Sequence, residues 1–286
     1  MKASELLKAV VRTVVPRPAR NWLRSPYRSA EWLWDAAVFS FGAGKTLQIS
    51  PGWSVICHPR AYRIAYRDQI NDPQQREEFQ CFLSHCSSEM FLFDIGAHFG
   101  IFSLAAAHFG GRTIAVDPSP IATRMIQTQV DLNGYADRIR IVRAALSDRD
   151  GSMGLVSTGV FSDGYFQVAT GHPNRDLTDT PAMTIDHMTL RFGAPTHIKI
   201  DVEGHEAAVL RGATGTLGNV PPLLFLELHN EMILSDQGNP ASALDELERV
   251  GYETFALNGE RIDRKAILEK PIIRIVARKS LRHSGE

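Results

Sequence analysis

Four short segments of the chain end apolar runs with acids, glycines or histidines, residue types that bind and react. In FLFDIGAHFG, residues 91–100, Asp94 closes an apolar run, and Gly96, Ala97, His98 and Gly100 form the turn that follows. An acid at a strand end suits a cationic ammonium or sulfonium group. It repels pyrophosphate, which a dinucleotide site receives on a GxGxxG turn at a helix N-terminus, whereas this turn is GxxxG. TIAVD, 113–117, ends in Asp117, near the spacing of about 20 residues at which a strand-tip carboxylate accepts hydrogen bonds from ribose hydroxyls. KIDVEGHE, 199–206, alternates so that Lys199 and Asp201 share one face, with Glu203 in the turn beyond. LLFLELHN, 223–230, carries Glu227, His229 and Asn230 at the end of a strongly apolar run, where an acid is costly unless paired or ligating.

An acid-bearing GxxxG turn followed by a ribose-binding acid points to S-adenosylmethionine, whose methionine end is positively charged. The end of the next apolar run, around Ala145 and Asp148, could meet the adenine edge; Asp148 reads equally as a turn residue before Gly151. Methyl transfer to a hydroxyl then needs a base close to the acceptor oxygen. His205 and His229 fit that task, because an unperturbed imidazole titrates near 6.5. Asp201, Glu203 and Glu227 would orient the base or bind the acceptor, with Asp201 also near the donor. His205 can instead cap a helix, Glu206 suits a helix N-terminus, and Glu227 can pair with Lys199. In a second version Asp201, Glu203, Glu227 and Asn230 supply oxygen ligands to Mg²⁺ or Ca²⁺, which would lower the pKa of a bound hydroxyl.

Residues of this kind converge only at the carboxyl edge of a parallel sheet. From about residue 90 the sequence supplies one, as short apolar runs at 91–95, 113–117, 139–146, 197–202 and 222–228 alternate with helical stretches. A helix over 240–250 follows, marked by Asn239, Pro240 and Gly251, and then runs at 253–257 and 272–279. After 139–146 the expected helix is missing. Residues 147–190 read as an inserted hairpin or loop and a candidate substrate wall, with Asp186 and His187 either lining it or capping the next segment. Residues 61–88 read as a cap leading into the sheet, preceded by a helical, basic extension over 1–60; within 50–90, VICHP and RIAYRDQ read as one or two strands and QREEFQCFLSHC as a helix capping the sheet edge.

The balance of the chain excludes several classes. A net charge of -1 gives no general attraction to nucleic acid. The 44% hydrophobic content supports a substantial core. Three cysteines without zinc or CxxC spacing point to a reduced, cytoplasmic setting. No run reaches the roughly 18 apolar residues of a spanning helix. Residues 1–30 hold seven Lys and Arg against Glu5; they could meet a membrane surface or a partner, or pack with a solvated basic face. Oligomeric state is not readable.

FLFDIGAHFGIFS, AVDPSP, HIKIDVEGHEAAVLRGA and FLELH together resemble the FkbM family of S-adenosylmethionine-dependent methyltransferases over about residues 75–280. The resemblance implies an α/β, class I (Rossmann-like) methyltransferase fold over 89–286, mostly parallel with an antiparallel C-terminal edge strand. It places Asp94, Gly96 and Gly100 around the methionine end and Asp117 on the ribose. The expected activity is O-methylation of a small-molecule or sugar hydroxyl, in a natural product, glycan or glycolipid. His98 stands where the family most often has Asn, and Asp117 where Glu is frequent. The competing readings are a non-catalytic nucleotide-binding scaffold and a nicotinamide-dependent oxidoreductase.

Overall fold

The computed structural model describes residues 44–157, 166–168, 178–235 and 237–279. The basic segment 1–30 and the middle of the 147–190 insertion lie outside them. The first described element is not helical. Strands β1 (Lys45–Ser50) and β2 (Trp53–Cys57) form an antiparallel hairpin, so VICHP begins in a strand as read and the helical extension does not reach 45–57, whereas RIAYRDQ is helical and not a strand. WSVIC alternates strictly, burying Trp53, Val55 and Cys57 and exposing Ser54 and Ile56. Gly52, at φ 84°, supplies the turn after Pro51, a strand-period signal that outweighs any helical one.

A helical stretch containing a π turn (Tyr62–Tyr66) leads to helix α1 (Pro73–His85), which Asp72 caps by accepting from the Gln74 and Gln75 amides. The main sheet then begins. β3 (Phe91–Ile95), α2 (Ile101–His108), β4 (Arg112–Val116), α3 (Pro120–Asn133) and β5 (Ile139–Val142) build one half. The run 139–146 divides, because its last residues leave the main sheet as β6 (Ala145–Leu146). There they join β7 (Gly151–Ser157), β8 (Phe166–Val168) and β9 (Thr178–Met183) in a four-stranded sheet ordered β6-β9-β7-β8. The inserted region is therefore a small sheet of its own, followed by α4 (Ile185–Phe192). The chain returns through β10 (His197–Ile200), α5 (Glu206–Arg211), α6 (Thr214–Asn219), β11 (Leu223–Leu228), α7 (Asn230–Ser235), α8 (Ala241–Arg249), β12 (Tyr252–Phe255), α9 (Arg264–Leu268) and β13 (Ile273–Lys279).

The seven strands are ordered β12-β13-β11-β10-β3-β4-β5. β11, β10, β3, β4 and β5 are parallel; β13 runs antiparallel between β11 and β12, so the edge strand β12 joins by antiparallel pairing. This is the class I methyltransferase fold. The strand order reverses between β3 and β10, and ligands of such sheets bind outside the strand tips at that point.

Alternation along the strands divides the core in two. Phe93, Ile95, Ile198, Ile200, Leu224 and Leu226 face one side, against Val209, Leu217, Leu244 and Leu247 of the helices there. Leu92, Ala115, Phe225 and Val276 face the other, under Phe79 and Phe82 of α1 and Phe102 of α2. Phe82 meets Phe102 and Phe225 edge-on, at centroid distances of 5.0 and 5.2 Å. The second face also carries Asp94, Lys199 and Glu227, because Lys199 is in register with Asp94 and Phe225. The same alternation that fills this layer with apolar groups thus brings charges together where the strands run out.

Candidate active site

The cleft at the β3/β10 switch point begins with the turn after β3. Gly96 has φ 77°, and a β-carbon on it would overlap the Asp201 carbonyl oxygen. Both the positive φ and the close approach of the Asp201 backbone require glycine there. His98 also has positive φ, 50°. Its amide donates to Asp117 Oδ2 at 2.9 Å, while Ser119 N donates to Asp117 Oδ1 at 2.8 Å. Asp117 is buried, and burial pushes its carboxyl up to about 7, against the pull of those two amides. Asp94 Oδ2 accepts from Ser103 Oγ at 2.6 Å; burial raises its pKa, opposed by Lys199 and by the serine. Tyr66 closes the roof, its hydroxyl donating to Phe99 O at 2.8 Å.

Asp94, Gly96, Ala97, His98, Gly100, Asp117 and Ala145 all line one cleft, as does Asp201. Asp148 does not. It pairs with Arg211 at 3.4 Å on the flank, so the adenine-edge role read for it is not supported. The apolar wall beside Ala145 comes instead from Val116, Leu146, Met153 and Leu155.

On the other side of the switch point the tips of β10, β11 and β13 carry a buried charge network. Lys199 Nζ lies 3.2 Å from Asp201 Oδ2 and 3.7 Å from Glu78 Oε1, over the Phe102 ring. Arg274 Nε donates to Glu78 Oε2 at 3.0 Å and to Glu227 Oε2 at 3.1 Å, and its Nη2 reaches Glu227 Oε1 at 2.5 Å. Glu227 therefore pairs with Arg274, its register partner on β13, rather than with Lys199. Burial raises Asp201, but Lys199 and His229 more than offset it and hold the carboxyl below its ordinary range. Glu203, at φ 53° in the turn, is raised by burial and by Asp201.

The two histidines differ. His205 lines the cleft, with Nε2 3.1 Å from Ser147 Oγ, and desolvation lowers its pKa, favouring the neutral ring. Its side chain caps nothing. His229 is buried behind the cleft, with Nδ1 2.8 Å from Glu206 Oε1 and Nε2 facing Asp201, Glu203 and Glu227 at 3.7–3.9 Å. Burial lowers its pKa, but the Glu206 hydrogen bond and the surrounding acids prevail and lift it to about 9. His229 does not line the cleft and its Nδ1 is committed to Glu206, so the structure does not place it as the base. Asn230 does not line the cleft: its Nδ2 donates to Ile267 O and Lys270 O at the end of α9, and its Oδ1 is buried without a hydrogen-bond partner. Asp186 accepts from the Gly215 and Thr216 amides and caps α6, and His187 pairs with Asp150 at the surface, so neither lines the cleft.

Residues 94–254, more than half of the chain, match the methyltransferase FkbM domain family. The chain belongs to the FkbM methyltransferase family. It is 26% identical to a ribosomal protein L11 methyltransferase of Pelotomaculum thermopropionicum over 178 residues, 57% of this chain and 56% of that protein. The chain thus spans about half the length of that relative. Among solved structures it is similar to the FkbM methyltransferase of Methylobacillus flagellatus, with 17% identity, 67% of this chain and 44% of the other covered, and a TM-score of 0.45. It is also similar to a Bacillus cereus O-methyltransferase in complex with SAH, with 10% identity, 77% and 89% covered, and a TM-score of 0.42.

The cleft suits the S-adenosylmethionine that the family resemblance implies. The lining carries the carboxyls of Asp94, Asp117, Asp201, Glu203 and Glu227, and its cations Lys199 and Arg274 are both paired with acids, which leaves neither for pyrophosphate. Each Asp117 oxygen, already accepting one amide, has a further lone pair for a hydroxyl. Sequence reasoning missed Arg274, Glu78, Tyr66, Ser103 and Ser147. Arg274 had a readable signal, a charge inside the apolar run IIRIVARK. No helix among the described residues is long and apolar enough to cross a membrane.

Proposed function

We propose that this FkbM methyltransferase methylates a hydroxyl of a small molecule or sugar, with His205 as the base. The observation that carries the reading is a cleft-lining imidazole kept neutral by burial, beside the carboxylates at the β10 tip. Bound S-adenosylmethionine supplies a methyl group already activated on a sulfonium. Asp94, Asp117 and the 96–100 backbone would hold it, with Ala145 beside the adenine.

The chain's own task is to position the acceptor and take its proton. Ser147 Oγ donates to Asp148 Oδ1 at 3.4 Å. With that proton so directed, His205 Nε2–H donates to Ser147 Oγ, and Nδ1 is left as the proton acceptor. Asp201 and Glu203 would accept hydrogen bonds from an acceptor's other hydroxyls, with Glu227 tied to Arg274. Met153 and Leu155 of the inserted sheet form the opposite, apolar wall.

The test is turnover with hydroxyl acceptors. His205→Ala should lower kcat by about 10²–10⁴-fold, the usual contribution of a general base, and leave affinity for S-adenosylhomocysteine unchanged. The acid limb of wild-type kcat should lie below the ordinary imidazole pKa and vanish in the variant. Near-wild-type turnover by His205→Ala would remove the assignment. Methylation of amines with no reaction on hydroxyls would remove the acceptor class.

A further inference from the structure

Behind the cleft, one ring nitrogen has no hydrogen bond. The His229 side chain is 4% exposed, and its Nδ1 is committed to Glu206. Its Nε2 is aimed at Asp201 Oδ1, 3.9 Å away, and Glu227 Oε1, 3.7 Å away. These separations are too long for hydrogen bonds. They fit a shared ion, because two ligand atoms each about 2.1 Å from one metal lie roughly 3.0–4.2 Å apart for angles between 90° and 180°. The three ligand atoms all lie within 4.8 Å of one another. The elements fix this arrangement. Asp201 follows β10, Glu227 lies in the neighbouring β11, and His229 is two residues further on.

We infer that Asp201, Glu227 and His229 form a divalent-cation site at the acceptor end of the cleft. Glu206 acts behind it as the carboxylate that orients the ligating imidazole through Nδ1, the usual arrangement for metal-bound histidine. Lys199 holds Asp201 through Oδ2, the oxygen turned away from His229, and Arg274 holds Glu227 through both of its oxygens. Asp201 and Glu227 line the cleft, so an ion held between them faces it. One imidazole nitrogen with carboxylate oxygens suits Mn²⁺, Fe²⁺, Co²⁺ or Zn²⁺ better than the Mg²⁺ or Ca²⁺ that an all-oxygen set would select. The exchange of Asn230 for His229 changes the expected metal class. The site is read from ion binding by the chain itself, independently of methyl transfer.

The experiment is Mn²⁺ titration of the full chain followed by electron paramagnetic resonance, without donor or acceptor. One Mn²⁺ per chain is expected, with spin-echo modulation from a directly coordinated imidazole nitrogen. Glu206→Gln should weaken binding by about 10–100-fold, as loss of a partner behind a metal ligand does, and His229→Gln should abolish the nitrogen modulation. The wild-type spectrum decides the question even if a variant fails to fold. No bound Mn²⁺ at millimolar ion, bound Mn²⁺ without nitrogen modulation, or Glu206→Gln with unchanged affinity would each overturn the site.

Discussion

The two sides of the switch point are built by different means. On the β3–β4 side, Asp117 is held by the amides of His98 and Ser119, and Asp94 by Ser103, all within 20 residues along the chain. On the β10–β11–β13 side, the groups are held by one another: Arg274 reaches Glu78 across 196 residues and Glu227 across 47, and His229 reaches Glu206 across 23. Backbone amides fix a carboxylate without adding charge to be neutralised. Side-chain pairs exchange that economy for a polar surface that can vary with the substrate. On the proposed reading the first half holds the donor and the second the acceptor, so the division follows the chemistry.

The contrast is broken most forcefully at Arg274. Arg274→Met leaves Glu78 and Glu227 buried without their shared partner, and breaking a buried pair from one side costs about 3–5 kcal/mol. Chemical denaturation should show a loss of that size; a loss below about 1 kcal/mol would mean the network relaxes freely. On the other side Asp117→Ala removes the ribose acceptor together with the tie across the turn. Affinity for S-adenosylhomocysteine should fall by about 10–100-fold, the worth of one or two charge-assisted hydrogen bonds, with a smaller loss of stability.

Asp117 also sharpens the comparison through pH. Its folded pKa, about 7, lies above its ordinary value of 3.8. The folded chain therefore binds the proton more tightly, and the stabilisation is present at low pH and lost as pH rises from about 4 through 7. The stability of the ligand-free chain should show that downward contribution, and Asp117→Asn should remove it. The smallest effect is expected away from both halves. Asp186→Ala uncaps α6, at a cost of about 1 kcal/mol, and should leave kcat and donor affinity as they are; a drop in either would return Asp186 to the cleft.

The same difference decides what the sequence could reveal. Asp94, Gly96, Gly100 and Asp117 were readable because their partners are local and their spacing follows from one strand, one turn and one helix. The class of the fold was readable for the same reason, from apolar runs alternating with helical stretches. Glu227 stood out as a costly acid, but its partner did not, because Arg274 becomes a neighbour only when β13 enters antiparallel beside β11. The choice between His205 and His229 was closed to pattern reading, since both follow strand tips and only the four surrounding acids separate them. The second strand of the hairpin at 45–57 was legible in VICHP, and the first was obscured by the basic composition upstream although Pro51-Gly52 marks the turn.

The central claim is that the locally built half holds S-adenosylmethionine. Calorimetric titration of the full chain with S-adenosylhomocysteine and, separately, with NAD tests it most directly. One site for S-adenosylhomocysteine, weakened by Asp117→Ala, and no heat from NAD is the predicted result. NAD binding in its place, or an affinity for S-adenosylhomocysteine indifferent to Asp117, would contradict it.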